Sequence, residues 1–314
     1  MNVGNMFAVG GKFEVQPMST VVIQFAPITT YTMEDVNRNI DEIVTWMERA
    51  VAGFPGVDLI VTPEFGLQGI SGSWYNTLLS YDSPEVKRLT DKCRELDVWG
   101  IFSVLAKEYE GHKARNTAIL VNNEGEIVHV YCKMNPYIPV DGAYPGQSCP
   151  VSDGPKGSKI GILICADGDY PESWREAAVN GANVIVRITH YTSVYDQGWE
   201  ITNKAGAYCN QSYVVASSCV DINGSATCIG HSLILNPDGT AIAEAPRGVP
   251  WMLKADLYPQ IVDHMRHESV MSNFVWSYRH RGAAHPEVAG VGRGIEDYMA
   301  YQTGPQKHRE ETSV

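Results

Sequence analysis

The 314-residue chain has no excess of positive charge, no long uninterrupted apolar run and no pair of cysteines at CxxC spacing. Each lack removes a class of function. With 24 Lys plus Arg against 36 Asp plus Glu, the formal net charge is −12, which argues against a nucleic-acid-binding surface. No apolar stretch reaches the roughly 20 residues that a membrane-spanning helix needs. The opening MNVGNMFAVGGKFEVQP has neither the basic start nor the apolar core of an export signal, so neither export nor membrane insertion is expected. Seven cysteines, an odd number without zinc-finger spacing, in a chain long enough to build its own core, read as reduced thiols in a cytoplasm. No GxSxG occurs, so serine-hydrolase chemistry has no anchor. His264, His267 and Glu268 in HMRHE do not follow the HExxH order and lack an obvious further ligand. GVGRG at 290–294 neither follows a clear strand nor opens a helix, and reads as a loop.

What is present centres on KIGILICADGDYPESWREAA, Lys159 to Ala178. Ile160, Ile162, Leu163 and Ile164 read as a buried strand that ends on Cys165. Gly168 and Pro171 punctuate the residues after it, and Glu172 to Ala178 is helix-forming, with Pro171 in its first turn. A cysteine at the tip of a buried strand, before a tight turn and a helix, has the geometry of a nucleophile elbow. There the sulfur sits near backbone N–H groups that favour a thiolate. Two other apolar strands end on chemistry-bearing residues: Val57 to Val61 runs into Thr62-Pro63-Glu64, and Ile127 to Tyr131 runs through Cys132 into Lys133. If these strands are neighbours, Glu64, Lys133 and Cys165 meet at one sheet end.

Elsewhere the pattern alternates strands and helices. A strand is expected at Thr20 to Phe25. A helix capped by Thr32 comes next, with Met33, Val36, Ile40, Ile43, Val44, Met47 and Val51 on one face. A second helix opens at Ser83-Pro84-Glu85, with Val86, Leu89, Cys93 and Leu96 as its stripe. Strands are expected at Trp99 to Val104, Asn183 to Ile188 and Tyr213 to Ser217, and a helix around Asp196 to Asn210. Asn122-Asn123-Glu124-Gly125 and Asn236-Pro237-Asp238-Gly239 mark hairpin turns. The Pro- and Gly-rich run from Met134 to Gly157, directly after Lys133, reads as a loop that shapes a site. This order predicts a layered α/β fold.

The segments FPGVDLIVTPEFGLQGI, NTAILVNNEGEIVHVYCKMNPYIPVDGAYPG, DGPKGSKIGILICADGDYPESWREAA, GANVIVRI and FVWSYRHRG make the chain resemble the nitrilase superfamily of carbon–nitrogen hydrolases, in its aliphatic amidase and formamidase branch. The resemblance implies a four-layer α-β-β-α sandwich spanning 18–285; residues 1–17, Gly-containing and aperiodic, read as an N-terminal arm and 286–314 as a polar tail. It implies a catalytic set of Glu64, Lys133 and Cys165. Chemically, Cys165 suits attack on the amide carbon, Glu64 proton transfer and Lys133 stabilisation of the oxyanion, helped by the backbone N–H of Ala166. By the same resemblance Tyr137 and Tyr144 flank the pocket, with Tyr191 as a further substrate-binding candidate. Where relatives carry a second glutamate before Tyr-Pro-Gly, this chain has Asp141. The expected reaction is hydrolysis of a short amide to carboxylate and ammonia without cofactor or metal, in a homo-oligomer. Nitrile hydrolysis, or a scaffold that kept the fold without catalysis, are the alternatives.

Overall fold

The computed structural model describes residues 14–69, 76–107, 114–137, 143–191, 196–221 and 228–267. Most of the N-terminal arm, the whole C-terminal tail, Asp141, Glu268 and GVGRG lie outside them. The first half of the chain runs β1 (Met18–Gln24), α1 (Met33–Gly53), β2 (Leu59–Val61), α2 (Pro84–Leu96), β3 (Trp99–Ala106), β4 (Arg115–Val121) and β5 (Ile127–Cys132). The second runs β6 (Val151–Asp153), β7 (Lys159–Ile164), α3 (Pro171–Val179), β8 (Val184–Thr189), α4 (Asp196–Asn210), β9 (Tyr213–Ser218), β10 (Leu233–Leu235), β11 (Ala241–Glu244), β12 (Trp251–Leu257) and α5 (Pro259–His267).

Local chemistry accounts for the element ends. The Thr32 side chain accepts the N–H of Asp35 while Asp35 accepts that of Thr32, a reciprocal capping box at the start of α1. Ser83 caps α2 by a one-way bond, its side chain accepting the N–H of Val86, with Pro84 in the first turn. The first hairpin closes on Asn122, whose side-chain oxygen accepts from the N–H groups of Glu124 and Glu126. Its Gly125 takes the positive φ that the turn demands, +78°.

Two six-stranded sheets form, ordered β12-β1-β2-β3-β4-β5 and β11-β10-β9-β8-β7-β6. Val21, Ile23, Ile60, Phe102 and Ile119 point from the first sheet to the buried stripes of α1 and α2. Met18, Val22, Leu59, Val61 and Leu120 point the other way, into a core shared with Ile162, Ile164, Val186 and Val215 of the second sheet. Trp174, Ala177 and Ala178 of α3 and Trp199 and Ala207 of α4 complete that core. The layers are therefore α-β-β-α, as expected. Polar stitches cross between the sheets: Ser217 Oγ donates to the Ile23 carbonyl at 3.0 Å, and Gln24 accepts from the N–H of Ser232 at 2.9 Å.

Candidate active site

Three strand ends converge between the sheets. Glu64 lies just past β2, Lys133 past β5 and Cys165 past β7. Glu64 and Lys133 are fully buried, 0% and 1% exposed, a placement these residue types adopt only when paired. They are: Lys133 Nζ lies 2.9 Å from Glu64 Oε1. Asn116 Nδ2 donates to the same oxygen at 2.7 Å, and the backbone N–H of His190 donates to Oε2 at 2.9 Å. Burial alone would raise the Glu64 carboxyl; the Lys133 ammonium and these hydrogen bonds outweigh it and hold the group below its ordinary value. At neutral pH the site thus carries a carboxylate and an ammonium side by side.

Cys165 borders the same backbone segment, its Sγ 4.0 Å from the His190 carbonyl oxygen. Its φ of +49° is rare for a side chain with a Cβ, and is the strained bend of an elbow. Burial, then the Glu64 charge, push the thiol up to about 12 against the pull of Lys133. The resting sulfur is therefore protonated, contrary to the expectation of a thiolate favoured by the turn. Desolvation and a facing carboxylate outweigh Lys133, the hydrogen bond with Thr189 and Arg187.

The elbow is braced from beneath. Arg187, fully buried in β8, donates to the Cys165 carbonyl from Nε at 3.0 Å and Nη2 at 2.6 Å. It also pairs with Asp169 at 3.0 Å and donates to Thr202 at 2.8 Å. The guanidinium lies 5.0–5.9 Å from the rings of Trp199, Tyr191 and Trp174, a cationic plug in an aromatic cage. A methyl group at Gly168 would overlap that guanidinium, so the turn is built around it. Asp167 ties the elbow to the first sheet: it accepts from Tyr131 Oη at 2.6 Å, Asn135 N at 2.7 Å and Ile164 N at 3.0 Å. Burial leaves its carboxyl raised all the same.

The other expected residues take varied positions. Ala166 is half-buried in the 3-10 turn Cys165–Asp169, where the leading N–H groups of a helical turn have no partner within it. Tyr137 and Tyr144 are half-exposed, at 50% and 49%. Tyr191 is buried against Trp199 with its hydroxyl on Asp169, on the brace side of the elbow. Of the HMRHE residues, His264 is buried in α5. Asn116, Asp167, Arg187 and His190 were not singled out from the sequence. Arg187 had a signal, a lone cation inside the apolar run Val184–Thr189; Asn116 and the His190 backbone had none.

A second cluster adjoins the first. His190, Cys219 and Cys228 bring their nitrogen and sulfur atoms within 4.8 Å of one another. Hydrogen bonds to Cys219 and His190 hold the Cys228 thiol down at about 6.

Comparison with known proteins decides the family. A model of the carbon-nitrogen hydrolase family matches residues 21–266. The chain belongs to that family. Within it, the chain stands in the amidase and formamidase branch of the nitrilase superfamily: formamidases of Bacillus cereus and Bacillus anthracis are each 33% identical over 276 residues, covering 85% of this chain and 83% of theirs. In fold it superposes on Nit3 of Saccharomyces cerevisiae with a TM-score of 0.72 at 22% identity, over 80% of this chain and 93% of that one. An amidase of a Nesterenkonia species gives 0.70 at 25% identity, over 82% and 97%. A glutamate-to-glutamine variant of the Nesterenkonia amidase, TM-score 0.69 at 25% identity over 77% and 91%, shows covalent addition of the acetamide moiety of fluoroacetamide at its active-site cysteine.

Proposed function

We propose that this carbon–nitrogen hydrolase cleaves a small aliphatic amide, of formamide or acetamide type, to carboxylate and ammonia through a thioester on Cys165. The observation that carries the reading is the buried Glu64–Lys133 pair, 2.9 Å apart, at the elbow that bears Cys165. Such a pair is costly to bury and has no evident structural need there. Glu64, ionised, takes the thiol proton as sulfur attacks the amide carbon. Lys133 and the Ala166 N–H stabilise the oxyanion. The proton held by Glu64 passes to the nitrogen, ammonia leaves, and Glu64 then draws a proton from the water that attacks the thioester. A protonated resting thiol suits this scheme, because the base beside it is kept ionised.

The panel that tests it contains C1 to C4 amides, the matched nitriles and ureido compounds, with ammonia detection. Formamide or acetamide should lead, and hydroxylamine should divert the acyl group to a hydroxamate; turnover of the nitriles alone would replace the reading. Asp141 stands in as the positioning carboxylate for the amide nitrogen. Drawing a carboxylate back by one carbon–carbon bond, roughly 1.5 Å, is large where about 1 Å of misplacement costs on the order of a hundredfold. Asp141→Ala should therefore lower kcat severely while Cys165 still alkylates, and Asp141→Glu should reorder the amides by chain length; unchanged kcat and order would remove the role. A cytoplasmic homo-oligomer completes the proposal. It is supported by half- to mostly exposed Tyr170, Ile201 and Tyr208 beside the cleft between α3 and α4. No helix among the described residues is long and apolar enough to cross a membrane.

A further inference from the structure

We propose that His190, Cys219 and Cys228 form a binding site for a thiophilic metal ion of the zinc class, and that the ion inhibits the adjoining catalytic site.

The topology builds the cluster. β8 and β9 are parallel with Thr189 opposite Ser218, so His190 and Cys219 leave the two strands side by side. Val220 then bridges Ile229 in antiparallel fashion, which puts Cys219 and Cys228, one residue before each bridging partner, on a common face. His190 Nε2 lies 2.9 Å from Cys228 Sγ, and all three donor atoms are within 4.8 Å of one another. Tetrahedral zinc holds sulfur at about 2.3 Å and nitrogen at about 2.0–2.1 Å, so its ligand atoms stand roughly 3.5–3.8 Å apart. The cluster spans that range and needs only small adjustments to receive an ion. Cys219 and Cys228 are 0% and 6% exposed, and two sulfurs with an imidazole favour zinc, cadmium or copper(I) over magnesium or calcium. Binding converts each thiol present to a thiolate and releases its proton; no electron moves. One protein ligand short of the closed structural set, the site leaves a coordination position for water.

Its position explains the inhibition. The N–H of His190 clamps Glu64 Oε2, its carbonyl faces Cys165 Sγ, and the Cys219 thiol donates to the Glu64 carbonyl at 3.6 Å. An ion that draws the His190 ring and the Cys219 sulfur together shifts the segment that positions both catalytic groups. Only this consequence rests on the catalytic reading above; the binding does not.

The test uses metal-free full-length protein carrying Cys165→Ser, so that the elbow sulfur is not a ligand, and titrates it with Cd2+ as the probe. One ion per chain should bind, with the ultraviolet charge-transfer band of two thiolates. Cys228→Ser, and separately Cys219→Ser, should halve the band and weaken binding at least tenfold, with folding followed by circular dichroism. Cys209→Ser, an exposed cysteine, should bind as before. In protein that retains Cys165, zinc should inhibit reversibly, and Cys228→Ser should need at least ten times more zinc for half-inhibition, each measured against its own metal-free rate. Absence of the band, its survival undiminished in folded Cys228→Ser, or a thiol count showing Cys219 and Cys228 already joined as a disulfide would overturn the site. Binding without inhibition would overturn the coupling alone.

Discussion

The two sheets are wired alike and finished differently. Taken outward from one edge, 12-1-2-3-4-5 and 6-7-8-9-10-11, each begins with an antiparallel edge strand, continues through three parallel strands and ends in a hairpin. The first sheet delivers a buried ion pair from the ends of β2 and β5. The second delivers a strained cysteine from the end of β7 and the guanidinium that braces it from β8. Equal topology supplies equal strand ends; which ends do chemistry is decided by single residues placed there.

Removing the second sheet's contribution should have the largest effect. Cys165→Ala is expected to lower kcat by on the order of 10⁴ or more, as loss of a nucleophile does; a rate within tenfold of wild type would move the nucleophile elsewhere. On the first sheet, Glu64→Gln should cost on the order of 10³ in kcat, the scale of a lost acid-base group. Mass spectrometry should still find Cys165 reactive toward a haloacetamide. Lys133→Met differs in kind: it leaves the Glu64 charge buried and unpaired, about 3–5 kcal/mol by analogy with other broken pairs. The double variant Glu64→Gln with Lys133→Met should recover part of that stability, and a denaturant midpoint no higher than that of the single Lys133 variant would contradict the account.

Glycines sharpen the comparison at smaller scale. Gly168→Ala should destabilise by about 2–3 kcal/mol, because its methyl overlaps the Arg187 brace. Gly53→Ala, at the end of α1 with open space around it, should be neutral or slightly stabilising. Equal melting shifts for the two would mean that Arg187 yields freely.

The smallest effect separates the sheets by sign. Glu64 is depressed in the fold below its ordinary 4.5, so its contribution is full above that value and is lost as pH falls through the folded pKa. Asp167 is raised above its ordinary 3.8, so its ionised form costs stability at neutral pH, and that cost fades on acidification. Between pH 7 and 4, Glu64→Gln should therefore lose less stability than wild type, and Asp167→Asn more. Identical changes in both would erase the distinction.

Much of the molecule was legible where the signal is local. The Thr32 and Ser83 caps, both hairpin turns, the 196–210 helix and the strand leading to Cys165 are written in neighbouring residues, and all appear as expected. The three strand ends could be named for their chemistry, although their convergence required the resemblance. What stayed hidden depends on distant partners. β12 pairs with β1 across more than two hundred residues, and nothing in Trp251–Leu257 names Met18–Gln24. The run 134–157, expected as loop, contains β6, a short edge strand that among the described residues pairs with β7 alone. Asn116 and the His190 N–H matter because of where Glu64 ends up. The His190, Cys219 and Cys228 cluster carries no CxxC spacing to announce it, because a parallel strand pair brings His190 to Cys219 and an antiparallel bridge brings Cys228 to both.

The division of the proposed catalytic groups between the sheets also bears on when a growing chain could first act. A nascent chain that has emerged through Lys133 holds the carboxylate and the ammonium, but not the Cys165 sulfur and no second layer to shield them. Cys165 arrives next, yet the first sheet stays open at its β1 edge until Trp251–Leu257 has left the ribosome and turned back alongside Met18–Gln24. On the proposed mechanism competence therefore waits for β12, and a chain cut short before it would be inert rather than partly active.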